Sequence, residues 1–267
     1  AAFRHKKQIY LLYSALNLHY LCQQINDKRA IMTSRYILTL LLVLLLCSCN
    51  RRPAPLHPAL QRAEQLMQKH PDSALAVLSH YNSRSFSDSA DMAAYALLRT
   101  KAEDKNYIDH TSDSLIRIAV RYYDRRGSDF QKAESHYYWG RIFQDKGNDV
   151  RTAEQFINAL SQAEKSKDND LIYLIKGNLA YILWTNELPN EAEIYYKELI
   201  EWYKQQCDKQ RLAATYLNLG EIYLYSSRYA SNAIHYLLAG LMLIDQSENR
   251  IIANDLLSAL SNEYEIN

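Results

Sequence analysis

The side chains here that could do chemistry are thiols, imidazoles and phenols: four cysteines, eight histidines and 22 tyrosines in 267 residues. Metal sites need ligands that converge, commonly one or two helical turns apart. The histidines His5, His19, His57, His70, His80, His110, His136 and His235 are scattered, with no pairing at i, i+4. The chain has no H-E-x-x-H, no G-x-S-x-G, no phosphate loop and no dinucleotide fingerprint. Six glycines leave no raw material for a phosphate-cradling turn. Cys207, beside Asp208, reads as a bystander, and His136 as a packing residue. No enzyme, cofactor or metal site is expected. A formal net charge of +1 argues against nucleic acid, whose partners carry a basic excess or stripe.

One thiol has a context that suggests modification. In "LLLVLLLCSCNRRPAP", residues 40–55, the apolar run is only Ile37–Leu46, whereas a membrane-crossing helix needs about 20 residues. Met32-Thr-Ser-Arg35 gives it a positively charged lead, which completes the layout of a secretory signal. Leu46-Cys47-Ser48-Cys49 resembles the bacterial lipobox, and that resemblance implies Cys49 as the diacylglycerol acceptor. Cys47 fits less well, because Leu46 would occupy the small-residue slot. The competing reading is an ordinary cleaved signal with two incidental cysteines. Residues 1–31 are then read as an upstream extension ahead of a start at Met32, against the alternative of an amphipathic leader helix. Residues 32–48 form the signal, 49–57 a linker, and 58–267 the main domain. A chain starting at Cys49 keeps Cys207 as its other thiol, so no disulfide framework is expected. Asn50-Arg51-Arg52 lacks an acidic surface-export tag, which leans toward a periplasm-facing position.

The strongest signal is an internal echo of forty residues. It links Gly140, Ala180 and Gly220; Trp139, Leu179 and Leu219; Phe143, Leu183 and Tyr223; and Phe156, Tyr196 and Tyr236. The turn acids Asp168, Asp208 and Glu248 keep the same step. Each unit has two stretches of about fifteen residues with apolar positions at helical spacing, broken at Lys146-Gly147-Asn148 and Leu188-Pro189-Asn190. Each therefore reads as a helical hairpin. Clear units cover about 133–166, 171–207 and 211–247, with an incomplete one at 250–267. Weaker hairpins precede them in "AAYALLRTKAEDKNYI" with "TSDSLIRIAVRYY", and in "ALQRAEQLMQKH" with "PDSALAVLSHY".

The pattern resembles the tetratricopeptide repeat, W-x2-L-G-x2-Y followed by A-x3-F. Trp139-Gly140-x2-Phe143 with Thr152-x3-Phe156, Leu179-Ala180-x2-Leu183 with Ala192-x3-Tyr196, and Leu219-Gly220-x2-Tyr223 with Asn232-x3-Tyr236 carry it. Glu164, Lys204 and Ile244 stand where the usual 34-residue repeat closes with proline, so the second helices are expected to run on. The resemblance implies an all-α fold, a right-handed α-α superhelix of antiparallel hairpins, in which Gly140, Ala180 and Gly220 pack against Phe156, Tyr196 and Tyr236. It further implies a concave groove lined by first helices, with Tyr137, Arg141, Tyr181, Trp184, Glu221, Leu224 and Tyr225 as candidate binding residues. The basic and asparagine clamp that some relatives use for a terminal carboxylate is replaced by Tyr137 with Arg141, Gly177 with Tyr181, and Leu217 with Glu221. The expected function is a non-catalytic, lipid-anchored scaffold of the bacterial cell envelope that binds a peptide or protein. Two alternatives stand beside it: the shortened sensory part of a membrane-bound transcriptional regulator, and a glycan-binding lipoprotein.

Overall fold

Helix starts follow local capping chemistry. The computed structural model describes residues 55–225, 230–244, 253–255, 257–259 and 261; the upstream extension, the signal and Cys49 lie outside the described residues. Proline opens α1 (Pro58–Leu66), α2 (Pro71–Ser79) and α8 (Pro189–Gln206), where its missing N–H costs nothing. Asp88 caps α3 (Ser89–Lys105), and Ser128 with Gln131 forms a reciprocal capping box on α5 (Asp129–Asp145). Asn148 caps α6 (Asp149–Ser166), its carboxamide oxygen accepting from the Arg151 amide at 3.1 Å. The recurring turn acids are caps too: Asp168 accepts from the Leu171 amide at 2.9 Å to open α7 (Asn169–Thr185), and Asp208 from the Arg211 amide at 3.0 Å to open α9 (Lys209–Tyr225). Glu248, the third of them, lies outside the described residues. Two further helices, α4 (Ile116–Arg126) and α10 (Ala230–Leu243), complete five hairpins among the described residues.

The second helices α6 and α8 are each 18 residues long and end on left-handed residues, Lys167 (φ 58°) and Cys207 (φ 55°), in place of a proline stop. That added length separates a forty-residue unit from the shorter repeat. The turns inside the hairpins are also left-handed, at Gly147 (φ 64°) and Glu187 (φ 61°). Glycine takes that conformation freely, whereas Glu187 bears a steric penalty of about 1 kcal/mol.

Each helix packs on its chain neighbours, giving an all-α solenoid. One core joins α1, α2 and α3 through Leu60, Leu78 and Tyr95. A second runs from α3 to α7 through Ile116, Phe156 and Ile175, and a third from α7 to α10 through Tyr196, Leu219 and Ala233. The small residues sit at the hairpin crossings. A Cβ on Gly140 would stand 2.6 Å from two carbons of the Phe156 ring, and one on Gly220 2.7 Å from Leu237. Ala180 is fully buried in the same core as Ala192 and Tyr196.

The third unit departs from the expected register by one residue. Gly220 meets Leu237, not Tyr236, and buried positions on α10 and just past its end include Ala233, Leu237 and Ile244. Those positions lie 81 residues after Thr152, Phe156 and Ala163, which are buried in α6. The slot expected for Asn232-x3-Tyr236 is thus filled by Ala233-x3-Leu237. Tyr236, turned aside by about 100°, stacks on Tyr223 at 5.6 Å between ring centres. One additional residue between the two helices of this unit produces the offset.

Gly177 differs from its glycine counterparts. A Cβ there would meet only Leu199 methyl carbons, at 3.7 and 3.9 Å, which is ordinary contact. Gly177→Ala is expected to stabilise the chain by about 0.5–1 kcal/mol, because glycine in a helix interior loses more backbone entropy than alanine. A thermal melt should show Tm rising by roughly 1–4 °C.

Candidate binding groove

First helices from distant units line a shared hollow. Lys101 of α3, Tyr138 of α5, Asp170 and Leu174 of α7 and Arg211 of α9 face one cavity of about 410 Å³. Lys101 also forms an ion pair with Glu134 of α5.

Of the candidate groove residues, those of the first clear unit are consumed by packing. Tyr137 is 4% exposed; its ring stacks on Phe156 at 5.5 Å and its hydroxyl accepts from the Asn178 side-chain amide at 3.2 Å. Burial pushes its phenol well above the usual range. It belongs to the core and not to the groove surface. Arg141 is held by Asp104 of α3, at 2.8 Å from Nε, with Gln144 accepting from its other end. Burial opposes the charge on Arg141, but Asp104 outweighs it and the guanidinium is held above its usual value. Both side chains are already satisfied, and neither offers itself to a ligand.

The next two units present a different surface. Tyr181 of α7 is 48% exposed and Tyr225 of α9 is 64% exposed. Between them Trp184 meets the Tyr225 ring edge-on, with centres 5.2 Å apart. Leu224 is partly buried against the core. Glu221 is half-buried, and its carboxyl is held above its usual range by that burial and by Asp255. Among the described residues it has no cationic partner.

Behind this surface lies a hollow of about 220 Å³ between α7 and α9, floored by α8. Gly177, Ala214 and Thr215 are too small to fill it, and Tyr196 and Tyr203 form the floor. The Tyr196 ring is 2% exposed and its buried hydroxyl has no hydrogen-bond partner. Burial, Glu221 and Tyr181 together push that phenol far up. The forty-residue comparison contains the signal for this hollow, since Gly177 stands in the slot of Tyr137 and Leu217.

Two of the described histidines bridge neighbouring elements. His136 bridges Gln155 at 2.7 Å and Asp124 at 3.1 Å. His110 lies between two carboxylates, with Asp145 2.7 Å from Nδ1 and Glu103 3.6 Å from Nε2. No group of metal-ligating side chains and no helix long and apolar enough to cross a membrane occurs among the described residues. Cys207 is an exposed free thiol on the turn after α8.

No protein-family model and no curated protein matches the sequence. Solved structures do match the fold. BtubC (BKLC) from P. vanneervenii superposes with a TM-score of 0.51 at 20% identity, covering 78% of this chain and 87% of that one. The nearly identical TPR-like repeats of a putative kinesin light chain from Podosopora anserina give 0.53 at 13% identity, covering 72% and 94%. A STAND signal-transduction ATPase with a tetratricopeptide repeat sensor, from Pyrococcus horikoshii, gives 0.54 at 14% identity over 78% of this chain and 36% of that one. The chain has the tetratricopeptide-repeat fold. Within that fold the small residue of the first helix and the large residue of the second make the hairpin crossing. Gly140 with Phe156 and Gly220 with Leu237 are this chain's versions. Its exposed aromatic residues include Tyr181 on α7 and Tyr225 on α9, besides Tyr107 in the turn after α3 and Phe130 at the start of α5.

Proposed function

We propose that the protein is a non-catalytic interaction scaffold that holds an extended peptide segment of another protein along the face of its first helices. One observation carries this reading: Tyr181 on α7 and Tyr225 on α9 are accessible rings, joined by the partly buried Trp184 that packs edge-on against Tyr225, and Tyr181 also lines a hollow between the two helices. Rigid rings supply contact area at low entropic cost, and such residues dominate the energetics of protein interfaces. On the lipobox resemblance of Leu46-Cys47-Ser48-Cys49, the scaffold is tethered to a bacterial envelope membrane through lipid on Cys49 and faces the periplasm. Several acyl chains would make that attachment stable where one would not.

The test is capture from envelope extracts by the immobilised chain, with and without Tyr181→Ala and Trp184→Ala. Capture is expected to fall about tenfold or more in the double variant, as when hot-spot aromatics are truncated. Undiminished capture rejects the groove. The intact mass of membrane-extracted protein reports the lipid: a mass equal to an unacylated chain starting after the signal rejects Cys49 as the acceptor.

A further inference from the structure

A cavity of about 320 Å³ between the start of α3 and the end of α4 has arginine as its only charged lining: Arg121, Arg125 and Arg126. Met92, Ile118 and Tyr122 supply its apolar lining. Among the described residues none of the three guanidiniums has an ion pair or a hydrogen bond, and Arg126 only stands over the Tyr122 ring, 6.0 Å from its centre. The carboxylates nearest in sequence are committed elsewhere. Asp88 and Asp91 accept from the Ala90 and His57 amides at 2.9 and 3.0 Å, and Asp124 faces a ring nitrogen of His136 at 3.1 Å. Arg99 of α3 and Arg141 of α5 show the alternative, each holding a carboxylate, Glu103 at 2.6 Å and Asp104 at 2.8 Å. The carbonyl end of α4 accounts for Arg125 and Arg126 in its last turn, but not for Arg121, a full turn earlier. Each free guanidinium presents a planar fork that fits the oxygens of a phosphate in pairs.

The charge continues outside the cavity. Arg117 is exposed and also unpaired among the described residues, and it precedes Arg121 and Arg125 at four-residue steps, so the three form one line along α4. Forks about 6 Å apart along a helix suit a surface that carries many anions. The later repeats are poorly suited to such a surface: residues 56–128 carry ten Lys or Arg against nine Asp or Glu, whereas residues 129–267 carry thirteen against twenty. Repulsion would turn the acidic part away and leave α4 to make the approach. The apolar lining beside the arginines matches an amphiphile, in which a phosphate is joined to a fatty body.

We propose that the α3–α4 cavity and the adjoining arginine line form a docking surface for anionic phospholipid. The phosphodiester sits among Arg121, Arg125 and Arg126, and the glycerol ester part lies against Met92, Ile118 and Tyr122. Different helices carry this surface and the Tyr181–Tyr225 rings, so it does not rest on the groove reading, and it needs no lipid on Cys49.

The full chain is mixed with vesicles of pure phosphatidylcholine and with vesicles of an equimolar phosphatidylglycerol–phosphatidylcholine mixture, and sedimentation reads the bound fraction. The neutral vesicles report whatever the apolar run Ile37–Leu46 contributes. Affinity for the mixed vesicles should exceed that baseline, and the ratio of the two affinities should fall with added salt. In the triple variant Arg121→Gln, Arg125→Gln, Arg126→Gln the ratio should shrink about 100-fold, each arginine near an anionic leaflet contributing about fivefold. The triple variant Lys165→Gln, Lys197→Gln, Lys204→Gln removes the same charge from exposed positions on α6 and α8 and should change the ratio little. Helical circular dichroism confirms that each variant folds. Equal affinity of the unaltered chain for both vesicles, a ratio unmoved by the arginine changes, or an equal loss in the lysine variant would each overturn the proposal. A phosphoserine peptide that binds through the three arginines while the two vesicles bind alike would reject lipid and give the cavity to a phosphorylated protein.

Discussion

Phe156→Ala is expected to lower the unfolding free energy by about 3–5 kcal/mol, the usual cost of deleting a fully buried aromatic ring. Phe156 is completely inaccessible, stacks on Tyr137 and fills the space over Gly140. Gly140→Ala alone is expected to destabilise as well, since its new methyl carbon would lie 2.6 Å from the ring. Overpacking of this kind costs about 1–3 kcal/mol, partly offset by roughly 1 kcal/mol of better helix propensity. Combining the two should reverse the sign of the glycine change. With the ring gone the methyl occupies vacated space, and only the propensity gain is left. Urea denaturation of the four proteins in the cycle should therefore return a favourable coupling of about 1–3 kcal/mol. Strict additivity would mean that residue 140 does not meet residue 156, and the hairpin crossing would lose its basis.

The second large effect is on pH. Burial alone would push the His110 imidazole down, but the Glu103 and Asp145 carboxylates outweigh it and the net shift is upward from 6.5. A raised folded-state value gives stability that is fully present below the unfolded value and is lost as pH rises through the folded one. Glu103 shifts the other way. Burial opposes its charge, His110 and Arg99 favour it, and the carboxyl ends below 4.5. Its contribution is present above the unfolded value and is lost as pH falls through the folded one. The cluster is thus most effective between about pH 4.5 and 6.5. His110→Gln is expected to cost roughly 1.5–3 kcal/mol at pH 6, the scale for a hydrogen bond to a charged group, and much less at pH 9. Thermal melts of both proteins across that range would show the gap closing as pH rises. A pH-independent difference would mean that His110 acts through its shape and not its charge.

These two sites differ in how far the sequence exposes them. The Gly140 crossing is legible because the same contact is rebuilt every forty residues, and repetition amplifies a pattern too weak to read once. The His110 cluster leaves no such trace, since its partners lie seven and 35 positions away and occur in one unit only. The register of α10 misleads for a physical reason. Asn232-x3-Tyr236 and Ala233-x3-Leu237 both offer a large residue four positions after a smaller one. Burial then selects the apolar pair, sending the Tyr236 ring to stack on Tyr223. Tyr137 misleads similarly: its position on the helix suits the groove, but a neighbouring amide caps its hydroxyl and Phe156 receives its ring. The hollow over Tyr196 is visible beforehand only as a glycine in a slot that elsewhere holds a large residue.

The buried interior comes as consecutive clusters that share a helix where they meet, α3 for the first pair and α7 for the next. A stack assembled this way behaves mechanically as a series of springs. Pulled from its amino end, it should yield in separate steps, giving up α1 and α2 first, while the α7–α9 surface stays folded.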